Sequence, residues 1–196
     1  MYINDNFNDT DIKILRSEFK IETLQFYDIL DNLIYNNTND NIFCIDFLPE
    51  KIYNLEKYNE LEKYRLEIFS KDNINEHTEN IFADDKFADQ IINITFNLIT
   101  YFPCIIYLIK NDIITSYENN INKDGFYKLA DLINYIIKFD IGCIGVLLKC
   151  NENLYLLLII NGGYNISIHF SNISEQSENL ILLEKLIKNE GLFLRK

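Results

Sequence analysis

Residues 141–170 read IGCIGVLLKCNENLYLLLIINGGYNISIHF, three apolar runs separated by two polar turn segments. The second turn segment is Asn161-Gly162-Gly163, in which glycine readily supplies the positive φ angles of a type I′ hairpin turn. The run at 154–160 is continuously apolar, which is typical of a central strand covered on both faces. We therefore predict an antiparallel three-strand meander with 154–160 as its middle strand.

The run at 164–170 has a different pattern, since apolar and polar residues alternate along it. Alternation with a period of two is typical of a strand that has one face in the core and one face against water. The predicted core face consists of Tyr164, Ile166, Ile168 and Phe170, and the predicted wet face consists of Asn165, Ser167 and His169.

Four further stretches carry an apolar residue at every third or fourth position, as amphipathic helices do. They are 22–35, 55–69, 86–102 and 126–139, and one more helix is predicted to end near residue 189. In 55–69 the predicted buried face consists of Leu55, Tyr58, Leu61, Tyr64 and Ile68. In 126–139 it consists of Phe126, Leu129, Ala130, Ile133, Ile136 and Ile137.

Short apolar runs predict four strands outside the meander, at 42–47, 104–109, 113–117 and 192–194. From residue 104 onward the predicted order is strand, strand, helix, three strands, helix, strand. That order indicates an α+β fold with a central antiparallel or mixed β-sheet, a C-terminal three-strand meander and amphipathic helices packed on the sheet. We expect a single domain over 1–196 with one continuous core; the alternative is an acidic helical half at about 1–89 that packs as a subdomain on a sheet half at about 90–196.

Composition favours a protein with a substantial core and no membrane anchor. The chain has 196 residues, of which 48% are hydrophobic, and this suits one domain. No apolar run is long enough to span a bilayer, and the polar start MYINDNFNDTD is unlike a signal peptide. The four cysteines lack CxxC spacing and lie in or beside apolar runs, which favours reduced core thiols over a zinc site. We expect a cytoplasmic protein.

Negative charge is concentrated in the first half of the chain. Residues 1–89 carry 20 Asp and Glu against 9 Lys and Arg, whereas residues 90–196 carry 10 against 9. The net charges of the two halves are therefore −11 and −1. Such a field repels nucleic acid and anionic membranes and attracts a basic protein. An acidic surface also has a simpler explanation, since charge of one sign keeps a protein soluble.

An acidic and aromatic segment at 53–67 is the most specific candidate for a binding surface. Tyrosine is favoured at protein interfaces, and carboxylates match a cationic partner. The candidate partner-binding residues are Tyr53, Glu56, Glu60 and Glu67. The alternative is that Tyr58 and Tyr64 of this segment simply pack inward. The leading hypothesis is a non-enzymatic binding protein for a basic partner, for example an immunity protein or antitoxin that neutralises a cationic toxin.

Catalytic signatures are sparse. The chain has two histidines, and neither lies in a pattern that pairs a base with a nucleophile. No phosphate-binding loop and no basic patch with interleaved aromatic residues is present, so no cofactor and no nucleic acid is expected. The second hypothesis is an enzyme with a dispersed site, whose candidates are Asp46, His77, Asp84, Asp85 and His169. A structural or scaffolding subunit is the third hypothesis.

A metal site is the alternative for three aspartates, Asp84, Asp85 and Asp89. Two carboxylates one turn apart on a helix could hold Mg²⁺ through their oxygens. Acids at a helix N-terminus are, however, better explained by capping and by the helix dipole. We therefore predict that Asp84 or Asp85 caps a helix and that no metal is bound.

Overall fold

The computed structural model describes seven stretches of the chain, namely 41–49, 54–70, 81–110, 113–116, 123–151, 154–171 and 177–196. The predicted helix at 22–35, Tyr53 and His77 lie outside these stretches. The described helices are α1 (Leu55–Phe69), α2 (Asp85–Tyr101), α3 (Lys123–Phe139) and α4 (Ser177–Asn189). The described strands are β1 (Ile42–Asp46), β2 (Cys104–Lys110), β3 (Ile113–Ser116), β4 (Cys143–Lys149), β5 (Tyr155–Ile160), β6 (Ile166–Phe170) and β7 (Phe193–Arg195).

The described strands form one sheet in the order β3-β2-β4-β5-β6-β1-β7, and every neighbouring pair is antiparallel. The α+β prediction is confirmed, and the antiparallel alternative is the one that the described strands adopt. The predicted meander is confirmed as β4-β5-β6, with β5 at the centre of the sheet. β1, which is far from the meander in sequence, lies between β6 and β7 and so joins the beginning and the end of the described chain in one sheet.

One face of the sheet forms the main core. Residues directly opposite each other on neighbouring strands share a face, so Ile106, Val146, Leu158 and Ile168 form one continuous apolar row. The apolar faces of α2, α3 and α4 belong to the same core cluster. Each such side chain stabilises the fold by about 1.5–3 kcal/mol when it is fully buried. The helix residues in the cluster include Phe87, Ile91, Ile94, Leu129, Ile133, Ile136, Leu183 and Ile187.

The opposite face of the sheet is also buried at its centre. Leu157 and Leu158 point to opposite faces of β5 and both are fully buried, which confirms that the middle strand is covered on both sides. On the same side as Leu157, the ring of Tyr107 crosses Gly145, where an added Cβ would lie 2.2 Å from the ring. The prediction of a wet face on β6 is wrong for His169, which is only 8% exposed because it lies directly opposite Leu157.

The turn between β5 and β6 differs from the predicted type I′ turn. It spans 161–165, and Gly163 has a positive φ of 66° while Gly162 does not. Gly162 is required for a different reason, because a Cβ there would lie 2.2–2.4 Å from atoms of Asp140. The backbone N–H of Gly163 donates to the carbonyl oxygen of Ile137 at 2.8 Å. The two glycines thus let the hairpin pack closely against the end of α3.

Candidate functional site

Helix α1 begins and ends where the sequence predicts. Asn54 caps it, since its side-chain oxygen accepts a hydrogen bond from the backbone N–H of Lys57 at 3.2 Å. Ser70 follows it in an extended conformation, and its N–H donates to the carbonyl of Leu66. The local signals of the sequence are therefore sufficient to define this helix.

The predicted buried face of α1 is wrong. None of its residues is buried, and Tyr64 and Ile68 are 56% and 69% exposed. Tyr58 alone among the five predicted residues is half-buried, so the inward-packing alternative holds for Tyr58 and fails for Tyr64. The residues that α1 turns toward the rest of the protein are Tyr58, Glu62, Arg65 and Leu66. The reason is that polar contacts, rather than the apolar stripe, attach this helix.

Arg65 makes the most extensive of these contacts. Its Nε donates to Asp84 Oδ2 at 2.5 Å, and its second terminal nitrogen donates to Gln90 Oε1 at 3.0 Å. Its guanidinium also lies over aromatic rings, where the ring quadrupole attracts a cation. The distances to the ring centroids are 5.0–6.0 Å for Phe47, Phe69, Phe87 and Tyr164.

Asp84 and Asp85 have separate structural roles. Asp84 is the N-cap of α2, as predicted, because its Oδ1 accepts from the N–H of Phe87 at 2.8 Å. Its Oδ2 accepts from the Tyr164 hydroxyl at 2.7 Å, and burial together with this hydrogen bond raises the pKa of Tyr164. Asp85 forms a buried ion pair with Lys138 at 2.9 Å. The two carboxylates therefore have different partners and do not form a common site.

A cleft of about 290 Å³ lies between α1 and the edge of the sheet. Asp46 is a buried part of its lining, and its Oδ1 accepts from the N–H of Leu48 at 2.9 Å. Asp46 Oδ2 accepts from the Tyr58 hydroxyl at 3.2 Å and from the guanidinium of Arg195. Asp46 is thus a buried, fully paired carboxylate. The cleft is lined by Cys44, Ile45, Asp46, Tyr58, Glu62, Tyr164, Asn165, Ile166 and Arg195.

Glu62 is the second carboxylate of the cleft, and it is half-buried. Burial raises its pKa, and a hydrogen bond with Tyr58 offsets part of that rise. Burial and the neighbouring Glu62 carboxylate likewise raise the pKa of Tyr58. No ion pair among the described residues involves Glu62. The cleft therefore contains two carboxylates, of which one is paired with an arginine.

Cys44 also lines the cleft, and it is exposed. The prediction that all four cysteines are core residues is wrong for this one, because Cys44 lies on the face of β1 opposite to that of the core residue Ile45. Cys104 is buried, and burial raises the pKa of the Cys143 and Cys150 thiols to about 12. All four are free thiols.

The described partner-binding candidates lie on the outside of α1. Glu56, Glu60 and Glu67 are exposed, and none of them takes part in an ion pair between described residues. Glu60 and Glu67 lie four and three positions from Tyr64, which places them beside it on the helix surface. We call this surface the α1 outer surface and define it by the acidic row Glu56, Glu60 and Glu67 and by the apolar stripe Leu61, Tyr64 and Ile68.

The candidates of the enzyme hypothesis are spread over the molecule. Asp46 lines the cleft, and of the other described candidates none does. Asp84 and Asp85 are held in the ion pairs described above, and His169 is buried in the sheet. His77 lies outside the described residues.

Sequence reasoning missed the two arginines that organise this region. Arg65 and Arg195 each pair with a buried aspartate, and the chain contains 18 Lys and Arg in total, of which only three are arginines. Arginine is better suited than lysine to buried carboxylate pairs, because its guanidinium is planar and presents several donors. The rarity of arginine in this lysine-rich chain is therefore the sequence feature that could have indicated these two buried ion pairs.

Wider features add little to this geometry. Within the described stretches, no three His, Cys, Asp or Glu side chains are grouped so that they could hold a metal ion. No helix in the described part of the chain combines the length and apolar character needed to cross a membrane. Compared with protein-family models, curated proteins and solved structures, the chain shows no match.

Proposed function

We propose that this protein binds a basic protein partner through the α1 outer surface. The observation that carries the proposal is the exposed apolar stripe of Leu61, Tyr64 and Ile68, which lies beside a row of three carboxylates. Contiguous apolar surface bordered by polar residues is typical of protein interaction sites. Neutralisation of a cationic toxin, as an immunity protein or antitoxin performs it, is one specific form of this proposal.

The apolar stripe supports binding to a protein rather than solubility alone. A helix that served only as a solvated surface would gain nothing from Tyr64 and Ile68 at more than half exposure. An amphipathic segment of a partner could cover this stripe along about two turns of α1, as in helix-in-groove recognition. Tyrosine is also enriched at the centre of protein interfaces.

The negative charge of the chain supports a basic partner. Only the exposed carboxylates can attract it, because the buried ones are neutralised. Asp46, Asp84 and Asp85 are neutralised in ion pairs and do not contribute to an acidic surface. Lys57 and Lys63 are exposed on α1, so the helix itself is only weakly acidic. The expected local attraction therefore comes from the carboxylate row beside the stripe. The net charge of −12 on the whole chain adds a long-range field that steers a basic partner toward the protein.

The test is a triple substitution, Glu56→Lys, Glu60→Lys and Glu67→Lys, in the full chain. The protein is immobilised and incubated with a lysate of its native host. The proteins that it retains are identified and produced in purified form, and their binding to the native chain and to the triple variant is then measured. We expect a retained partner with a basic surface, an association rate that falls steeply with added salt, and loss of its binding in the triple variant.

The matched control is Asp131→Lys, Glu178→Lys and Glu184→Lys, which makes the same change in net charge at exposed positions of α3 and α4. This control variant is expected to keep the partner with only a modest loss of association rate. A partner that binds equally well to the α1 triple variant, or whose binding does not respond to salt, would remove the proposal.

A further inference from the structure

The cleft beside α1 is large enough for one small chemical group. Its volume of about 290 Å³ lies just below the range of about 300–1,000 Å³ that ligand pockets usually occupy. It lies on the inner side of α1, whereas the α1 outer surface faces away from the sheet. A ligand in the cleft therefore makes contacts different from those of a protein docked on the outside of the helix.

The described lining of the cleft contains two carboxylates, Asp46 and Glu62, and one cation, Arg195. Arg195 neutralises Asp46, so the described lining keeps the single negative charge of Glu62. The Tyr58 hydroxyl has one proton, yet it contacts both Asp46 and Glu62. It can donate to one carboxylate at a time, so Glu62 lacks this donor whenever the hydroxyl donates to Asp46. Glu62 is the carboxylate with no arginine beside it among the described residues.

The remaining lining suits a cation. Tyr58 and Tyr164 both contribute to the wall of the cleft, and the face of an aromatic ring attracts a positive charge within about 6 Å. A carboxylate together with aromatic rings is the combination that recognises ammonium and guanidinium groups. Within this structure the same combination already holds Arg65, whose guanidinium pairs with Asp84 and lies within 6.0 Å of the centroids of four rings.

We infer that the cleft is a binding site for an organic cation, an alkylammonium or alkylguanidinium group that forms an ion pair with Glu62 and packs against Tyr58 and Tyr164. Asp46 and Arg195 position the Tyr58 hydroxyl and make no ion pair with the ligand. The group is either part of a small diffusible molecule or the end of a lysine or arginine side chain. Both sources present the same cationic group. They differ in size, because a lysine or arginine side chain brings its peptide backbone to the mouth of the cleft and a small molecule does not.

The experiment titrates the full chain with methylguanidinium and with butylammonium, and NMR chemical shifts of Cys44, Asp46 and Arg195 report on the cleft. 1-Butanol, which has the same alkyl chain without the charge, is the control ligand. We expect saturable shifts at these three residues with both cations and none with the alcohol. Equal shifts with the alcohol, or shifts that never saturate with the cations, would overturn the inference.

The key variant is Glu62→Gln, which keeps an oxygen that can accept from Tyr58 and removes the charge. It is expected to weaken cation binding by about tenfold or more, because a charge-assisted hydrogen bond is lost. Glu60→Gln is the matched control, since it makes the same change at an exposed position of the same helix. Equal affinity of the Glu62→Gln variant and the native chain would overturn the inference.

Binding should also depend on pH with a defined sign. Burial raises the pKa of Glu62, so its carboxyl is protonated in acid and cannot form an ion pair. Cation affinity is therefore expected to rise as the pH increases through the raised pKa of Glu62, and binding releases a proton there. The polar and titratable groups that line the cleft together with Glu62 are Tyr58 of α1, Cys44 and Asp46 of β1, Tyr164 and Asn165 before β6, and Arg195 of β7. The Glu62→Gln variant is expected to lose this dependence.

N-acetyl-arginine methylamide separates the two sources of the cation. Affinity equal to that of methylguanidinium identifies a side chain of a protein, and much weaker affinity identifies a small diffusible cation. The inference does not depend on the α1 outer surface, because the probes need no partner protein. Failure of the probes to bind would leave the proposed partner binding unaffected, and loss of partner binding would leave the cleft unaffected.

Discussion

Helices α1 and α3 have similar amphipathic patterns and opposite surroundings. In α3, the apolar residues Leu129, Ile133, Ile136 and Ile137 are at most 4% exposed and belong to the main core. In α1, the apolar stripe is exposed and the helix is attached by Arg65 and Tyr58. Periodicity thus identifies a helix and its apolar side, but it does not identify what covers that side.

The two kinds of attachment differ in how they respond to substitution. The apolar face of α3 can lose a methyl group and partly relax around the gap. The attachment of α1 depends on one guanidinium that satisfies a fully buried carboxylate, and a buried charge without its partner is far more costly. The comparison can therefore be tested by changing single residues on each helix.

The largest effect is expected for Arg65→Met. Methionine retains an unbranched chain among the aromatic rings but leaves Asp84 buried without its cation. We expect the free energy of unfolding to fall by about 3–5 kcal/mol, measured by urea denaturation. Amide hydrogen exchange in α1 should rise above that of α3.

Lys63→Met is the control for this change, since Lys63 is exposed on the same helix. It should change the stability by no more than about 0.5 kcal/mol. A loss below about 1 kcal/mol for Arg65→Met would show that apolar contacts, rather than the ion pair, hold α1 in place.

A somewhat smaller effect is expected for Ile133→Ala in α3. Ile133 is fully buried against the sheet, and its truncation removes apolar contacts and leaves a cavity. The expected loss is about 2–5 kcal/mol, measured in the same denaturation experiment. Hydrogen exchange should rise throughout the sheet rather than in one helix. A loss confined to α3 would show that this helix is less integrated with the core than its burial indicates.

The smallest effect is expected for Ile68→Ala in α1. The chemical change is the same as in Ile133→Ala, but Ile68 is 69% exposed. We expect a change within about 0.5 kcal/mol, because surface substitutions away from special contacts are nearly neutral. A loss comparable to that of Ile133→Ala would mean that the apolar stripe of α1 is covered within the protein, and the proposed docking surface would then be unavailable.

Much of the fold follows from local signals in the sequence. The helix bounds of α1, the Asp84 cap and the three-strand meander are set by residues close together in the chain, and each is confirmed. The pairing of β1 with both β6 and β7 depends on contacts between distant residues, and no local pattern specifies it. The same is true of the cleft, because its walls come from α1, β1, β7 and the turn before β6.

The exposure of each carboxylate cannot be read from the sequence. A count of carboxylates gives the same weight to Glu60 and to Asp84, although one is exposed and the other is fully buried in an ion pair. Burial decides whether a charge faces a partner or holds the fold together, and burial is a property of the folded chain. The row Glu56, Glu60 and Glu67 stays a prediction for partner binding, because its exposure is necessary for that role but does not establish it.

The position of β1 between β6 and β7 has a consequence for the order of folding. Asp46 and Arg195, which pair across this part of the sheet, are 149 residues apart in the chain. Contacts between such distant residues form slowly, since the intervening chain must first lose its freedom. During synthesis the segment that becomes β1 leaves the ribosome long before either neighbour exists, and we expect it to stay unpaired until β6 has been made and to pair with β7 afterwards.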